Sequence, residues 1–434
     1  MNNSKNKIDW RAVIIFLSIA YSSQCGGGFA SGSTPWSYFF KNTGFFGLLP
    51  EVTQAYFALL GPVVVAIINC VVIYFFMKFA MDFRVFDYAS FQAKYAERFW
   101  GGVLAKPLQW VYEVNFNWLL IVVMALAYST SGSALNQLTG IPYLLTTFII
   151  GIIMFVICMK GTDLVRKNAV FMSVVIFVAL VIVHVPNMFY NIGSGKLAAQ
   201  QAIVQQEMNA SIAAGAGSVV KYLLIALFWA YIFSGQNLAG YGAYVNHAQI
   251  FRNKKTLRVA VILSVIANWA FLEMSTINLM ANYSDIFEGW KNGTAVYSIM
   301  IVQKGWAQGG IKVLSLTLIT IAIFFATIST AINYVQGFND RVLNWWEKRQ
   351  NEDPEVSAAK RNKRGAILTL LYIILTWAVS QVGLTALVAK GLTAASFITL
   401  FTLILPTIIN VIIGWKDADY DAISAELDAQ EANK

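Results

Sequence analysis

The sequence predicts an all-α integral membrane protein with ten transmembrane helices in a five-plus-five inverted repeat, helices one and six being broken. Three observations carry this. Of the 434 residues, 58% are hydrophobic and only 12% charged, with a mean hydropathy of +0.60. Apolar runs of roughly 18 residues or more recur along the chain, each long enough to cross a hydrocarbon core about 30 Å thick. Two of these runs, five spans apart, are interrupted by glycines and polar residues in their middles. The composition excludes a soluble core, and the length of the runs excludes a transmembrane barrel, whose strands are short and alternating.

In chain order the spans are expected at 11–40 (interrupted), 55–80, 108–135, 141–159, 165–190, 219–245 (interrupted), 256–281, 311–338, 365–388 and 392–414. Lys5, Lys7 and Arg11 before an apolar run resemble a signal peptide, but Gln24 beside Cys25 makes a poor lipoprotein cleavage site, so the segment reads as the first span. Residues 290–310, with Trp290 and Trp306, read as an amphipathic helix at the membrane interface. Residues 191–214 read as an amphipathic cap outside the fifth span. Cys25, Cys70 and Cys158 all fall in apolar segments without metal-like spacing, so no disulfide framework is expected.

Orientation follows from the loops. Placing the N-terminus inside leaves only Lys41, Lys196, Lys221, Lys291, Lys304, Lys312 and Lys390 outside, seven of the 31 basic residues. Basic loops mark the cytoplasmic side, so both termini are expected in the cytoplasm of a cell-membrane protein. The net charge of +9 is therefore topology, and no nucleic-acid partner is expected. An acidic tail follows Lys416. The resulting division is 1–190 as the first repeat, 191–214 as an outer loop, 215–414 as the second repeat and 415–434 as the tail.

The interruptions are the informative feature. The first reads QCGGGFASGSTPW (24–36) and the second lies within LFWAYIFSGQNLAGYGAY (227–244). Because five spans separate them, the second half enters the membrane upside down. Non-helical backbone cannot face lipid, so at this depth it must be buried in protein or line a cavity. Each break offers carbonyls from one half-helix and N–H groups from the next, poles able to hold a cation and an anionic group together. The competing reading is that Gly28 to Gly32 is a GxxxG packing face. Two breaks at matching positions favour a site, so the expected substrate-binding residues are Gly26, Gly27, Gly28, Phe29, Ala30, Ser31 and Gly32 from the first. Phe233, Ser234, Gly235 and Asn237 join them from the second, and Tyr128 from span three.

The stretch GGGFASGSTPWSYFF (26–40) resembles the GAGFASG-type first helix of the YkvI-like membrane proteins, of the amino acid–polyamine–cation superfamily with the LeuT-type inverted repeat. This chain carries Ser33, Thr34 and Pro35 where an acidic residue or glutamine usually follows that motif. The resemblance implies a secondary active transporter of a small polar solute, first an amino acid or its derivative, working by alternating access. Nucleobases and quaternary ammonium compounds stay open as substrates, as does a channel or sensor on the same fold. It also implies a sodium ion held by Ala326, Ser329 and Thr330 of span eight and the carbonyls of Ser22 and Cys25. Sodium is favoured over a proton, with no other cofactor, and the expected partners are a small-molecule substrate and membrane lipid.

Ionisable residues inside a membrane are candidates for function. Glu273, mid-span in NWAFLEMSTIN, and Glu113, near the start of span three beside Asn117, are the candidate proton- or cation-coupling carboxylates; Glu113 reads more readily as a satisfied or water-exposed acid. His184 reads as structural. Trp36, Trp118, Trp229, Tyr231, Phe233 and Tyr241 could cover the site. With no GxSxG, HExxH, CxxC, P-loop or GxGxxG motif, the chain is not expected to be an enzyme.

Overall fold

The computed structural model describes residues 7–24, 26–42, 52–53, 55–160, 169–215, 217–251, 253–291, 296–350 and 354–413. Cys25 and the acidic tail lie outside these residues. Among them, eight helices are long and apolar enough to cross a membrane, and two shorter apolar helices, Trp10–Tyr21 and Tyr143–Met159, occupy expected spans one and four. Length and composition make this a multi-pass, all-α membrane protein.

Local chemistry sets the helix ends. α1 (Trp10–Gln24) starts where the Asp9 carboxylate accepts the N–H groups of Arg11 at 3.0 Å and Ala12 at 3.3 Å. The first span continues as α2 (Gly27–Ala30), α3 (Ser33–Pro35) and a π-helical turn at Trp36–Phe40. A two-residue antiparallel ladder, Lys41–Asn42 with Val52–Thr53, then leads to α4 (Gly61–Asp82). Asp87 accepts the Ser90 N–H to open α5 (Tyr88–Thr139), which is interrupted at Gly101 and closed by left-handed Gly140. α6 (Tyr143–Lys160) and α7 (Ala169–Gly193) follow.

The stretch expected as an outer cap is helical at α8 (Lys196–Ala213), which leans on the protein through Val204 and Met208. α9 (Val219–Leu238) is capped by Ser218, and a short α10 (Gly242–Val245) follows it. α11 (Lys254–Ala281) is capped by Asn253. α12 (Tyr283–Lys291) and α13 (Tyr297–Lys304) precede the long α14 (Gly309–Gln350) and α15 (Pro354–Ser380). α16 (Leu384–Ala386), α17 (Thr393–Thr399) and α18 (Leu405–Ile413) are spliced end to end by π-helical stretches.

Three expectations are corrected. The turn before the last span lies at 381–383, where Gly383 takes φ +97°, and not near Lys390. Lys390 and Gly391 are helical, and Gly391 packs so tightly on Val122 that an added Cβ would stand 2.7 Å from it. The interfacial reading of 290–310 fails for α13, whose Tyr297, Ser298, Ile299, Ile301 and Val302 are all buried in protein. The second break, expected over Ser234 to Gly240, is shorter and later: α9 runs through Ser234 and Gly235 to Leu238, and the chain leaves the helix at 239–241.

Helix neighbours come in matched pairs. α1 packs on α11 and α9 on α4; α5 packs on α17 and α14 on α7; α5 packs on α6 and α14 on α15. Between them lies one large apolar core with a smaller cluster around Tyr128 and Tyr372.

A cavity between the two interrupted segments

Glycine makes the first break. Gly26 is extended (φ −69°, ψ 178°) and opens α2, a single turn whose Phe29 and Ala30 N–H groups return to the Gly26 carbonyl at 3.0 Å. Gly32 then takes φ +79°, a left-handed conformation that glycine adopts without strain. The Ser31 hydroxyl donates to the Gly28 carbonyl at 2.9 Å, and the Ser31 carbonyl accepts the Ser298 N–H of α13 at 3.0 Å. α13 thereby satisfies backbone that the broken helix leaves open, as buried polar groups require.

A cavity of about 500 Å³ lies against this break. Gly26, Gly27, Gly28, Phe29 and Thr34 line it from the first span, Gln236 and Asn237 from the last turn of α9, and Gly240 from the second break. Leu119, Val123, Leu126 and Ala127 form a stripe from α5, and Ser329, Thr330 and Tyr334 face it from α14. A side pocket of about 20 Å³, shared through Gln24, Phe29 and Asn237, adds the amides of Asn69 and Asn268. That volume is enough for one water-sized occupant.

Several buried polar atoms at these surfaces have no hydrogen-bond partner among the described residues: Thr34 Oγ1, Gln236 Oε1, Asn69 Oδ1 and Asn268 Oδ1. Thr130 Oγ1, packed against Gly27, is also without one. Such groups are costly unless something polar meets them. No Asp, Glu, Lys or Arg lines the cavity among the described residues; the one titratable imidazole is His247, at its rim with exposed Asn246.

An aromatic layer follows the first break in the chain. Trp36 stacks on Phe40 at 5.0 Å and meets Tyr283 and Tyr297 at 5.7 and 5.6 Å. Tyr38 and Phe39 both pack on Phe233, at 5.2 and 5.0 Å. Each of these rings is buried. Trp229 joins them against Tyr38. Trp118, by contrast, is half-exposed and donates to the Gly391 carbonyl at 2.9 Å, while Tyr241 donates to Gln92 in a separate buried tyrosine cluster with Tyr112.

The predicted substrate residues therefore divide. Gly26 to Phe29 and Asn237 line the cavities, and Phe233 of the aromatic layer lines the side pocket. Ala30, Ser31 and Gly32 are buried in the turn behind. Ser234 donates back to the Ala230 carbonyl at 3.3 Å, and an added Cβ on Gly235 would stand 2.6 Å from the Ser396 carbonyl, so these two residues pack α9 on α17. Tyr128 belongs to the second cluster, about 100° around α5 from Ala127. Gln236 lies within the expected second break and Thr34 within the first motif, neither among the expected binding residues, while Asn69 and Asn268 are isolated amides that carry no sequence pattern.

Of the predicted ion ligands, Thr330 Oγ1 lies 3.9 Å from a Cβ built on Gly26, so span eight does face the first break. Ser329 donates to the Ala326 carbonyl at 3.3 Å. Ser22 sits in α1, and Cys25 lies outside the described residues. Glu113 pairs with Arg341 at 2.6 Å, whose guanidinium covers the Phe116 ring at 4.3 Å. Glu273 lines neither cavity, and its Oε2 has no hydrogen-bond partner among the described residues. His184 contacts Asn278, in a buried network with Asn191. No family model matches the chain, and no curated protein matches it.

Proposed function

We propose that the chain is a secondary active transporter of a small polar solute, driven by a cation and working by alternating access. The observation that carries this is the cavity of about 500 Å³ at the meeting of the two interrupted segments, with orphaned polar atoms in its wall. The matched helix neighbours support ten spans in two inverted halves of LeuT type, since raising every span number by five exchanges one contact for its partner. The YkvI-like first helix points the same way.

Exposed Asn246 lines the cavity, while the aromatic layer after the first break is buried. With basic loops and both termini in the cytoplasm, this is the inward-open state of a cell-membrane protein. An amino acid or a derivative is the substrate the site favours. Gly27 and Gly28, at the start of α2, line the cavity and are the backbone donors proposed for its carboxylate. The amides of Gln236 and Asn237 serve the remaining polar atoms. Thr330 and Ser329, facing the break, are the side-chain oxygens for sodium, a hard cation that takes oxygen donors; Glu273 is the reserve site for a proton.

Purified protein in sealed proteoliposomes tests the reading. Uphill accumulation of a labelled amino acid under an inward sodium gradient is expected, with loss of accumulation when the gradient is collapsed. Flux that stops at equal concentrations would make the protein a channel, and binding without flux would make it a sensor.

A further inference from the structure

A separate cavity, of about 200 Å³, opens on the outer surface of the helix bundle between α4 and α11. Its walls are Cys70, Val71, Tyr74 and Phe75 from α4 and Val261 and Ile262 from α11, with Arg258 at one end. The two helices run antiparallel, so Tyr74 stands beside Arg258 while Cys70 and Ile262 lie four residues, about 6 Å, deeper along the bundle. The Arg258 guanidinium sits 5.7 Å from the Tyr74 ring centroid, outside the groove's wholly apolar lining. Lys255 is exposed one turn earlier on the same face. Beyond the rim that face continues with exposed Ile262, Ile266 and Trp269.

We infer that this groove binds an anionic phospholipid, its phosphate held by Arg258 and Lys255 and part of an acyl chain lying over Val71 and Ile262. Two features select the occupant. The lining is apolar apart from its rim, so a free phosphate has nothing to gain from the groove. The rim is basic, with no acidic residue in the first turn of α11. Nearby Asp9 lies at Thr256, which is buried within the bundle, and its Oδ1 accepts the N–H groups of Arg11 and Ala12. Asp82, two turns beyond Tyr74, is buried and paired with Lys78. Basic side chains in a pocket between helices hold lipid head groups in this way, each contributing about 1 kcal/mol near an anionic surface. The inference needs only the membrane character of the chain and stands whether or not the protein transports anything.

Native mass spectrometry of the full chain, titrated in neutral detergent with phosphatidylglycerol or phosphatidylcholine, tests it. One phosphatidylglycerol is expected to be retained in preference to phosphatidylcholine. Arg258→Gln should weaken that lipid about five-fold and leave phosphatidylcholine unchanged, whereas Arg258→Lys should keep the preference. Ile262→Trp, at an exposed position, should fill the groove and displace the lipid although both cations remain. Thermal midpoints without added lipid, matching that of the parent protein, confirm that the variants fold. Equal retention of the two lipids, or an Arg258→Gln protein with unchanged preference, overturns the site. So does displacement by millimolar inorganic phosphate, or an Ile262→Trp protein that still retains phosphatidylglycerol, because either places the contact on the cations alone.

Discussion

Replacing Gly28 by alanine tests the tightest point of the first break. A Cβ built there stands 2.5 Å from Thr34 Oγ1 and 3.0 Å from Leu126 Cδ2, where ordinary contact begins at 3.4 Å. The Thr34 side chain must therefore retreat by about 0.9 Å, and it is buried at 2% exposure with a proline following it. Overpacking of this kind costs about 1–3 kcal/mol. Gly26→Ala is the control: its Cβ meets nothing closer than Thr330 Oγ1 at 3.9 Å and its φ of −69° suits alanine, so a change within about 0.5 kcal/mol is expected. Thr34→Ala removes an oxygen that has no partner to lose among the described residues, and in the Gly28→Ala background it should recover most of the loss. The assay is unfolding of the purified protein in detergent, read as a four-protein double-mutant cycle with coupling of about 0.5–3 kcal/mol. A Gly28→Ala protein as stable as its parent, or a double variant no better than the single one, would refute the close packing of Gly28 on Thr34.

Ser329→Ala combined with Thr330→Ala is expected to abolish sodium dependence of uptake in proteoliposomes; unchanged dependence would remove the ion from span eight. Glu273→Gln, which keeps shape and loses only charge, should leave sodium-driven uptake intact and alter its pH profile, whereas loss of uptake at every pH would place this carboxylate in the transport site. Glu113→Gln breaks a partly exposed pair and should cost less than about 1 kcal/mol in denaturant titration while uptake persists. Lys78→Met, by contrast, removes the ammonium that the buried Asp82 carboxylate meets at 3.2 Å and should destabilise by more than about 1 kcal/mol in the same titration; a cost near zero would mean the acid is held by its other contacts.

Residue by residue, the readings that succeeded rest on local rules. Three consecutive glycines cannot continue a helix, and the chain breaks there. Ser329 and Thr330 of the eighth expected span, by contrast, line the cavity beside that break, a placement that the family resemblance implied and no local rule could give. The second break was placed too early because Ser234 and Gly235 look like helix breakers in isolation. In the fold Ser234 bonds back to Ala230, and Gly235 is small so that α9 can approach Ser396. A glycine that permits contact and one that permits a turn are identical as letters. Likewise, the tryptophans at 290 and 306 suggested an interface, yet α13 between them is buried and supplies the Ser298 N–H to the broken first helix.

By itself the sequence determined that the chain is helical, that it crosses a membrane many times and that its first crossing is interrupted. These depend on transfer of apolar residues into hydrocarbon and on the conformational cost of glycine runs, both properties of contiguous residues. Only the tertiary structure decided which residues share a cavity. Thr34, Gln236, Asn69 and Asn268 lie on four different segments, and Tyr128 turns away from the cavity that its neighbour Ala127 lines. A site of this kind is set by the rotation of each helix about its axis. That rotation is fixed by packing between elements far apart in the chain.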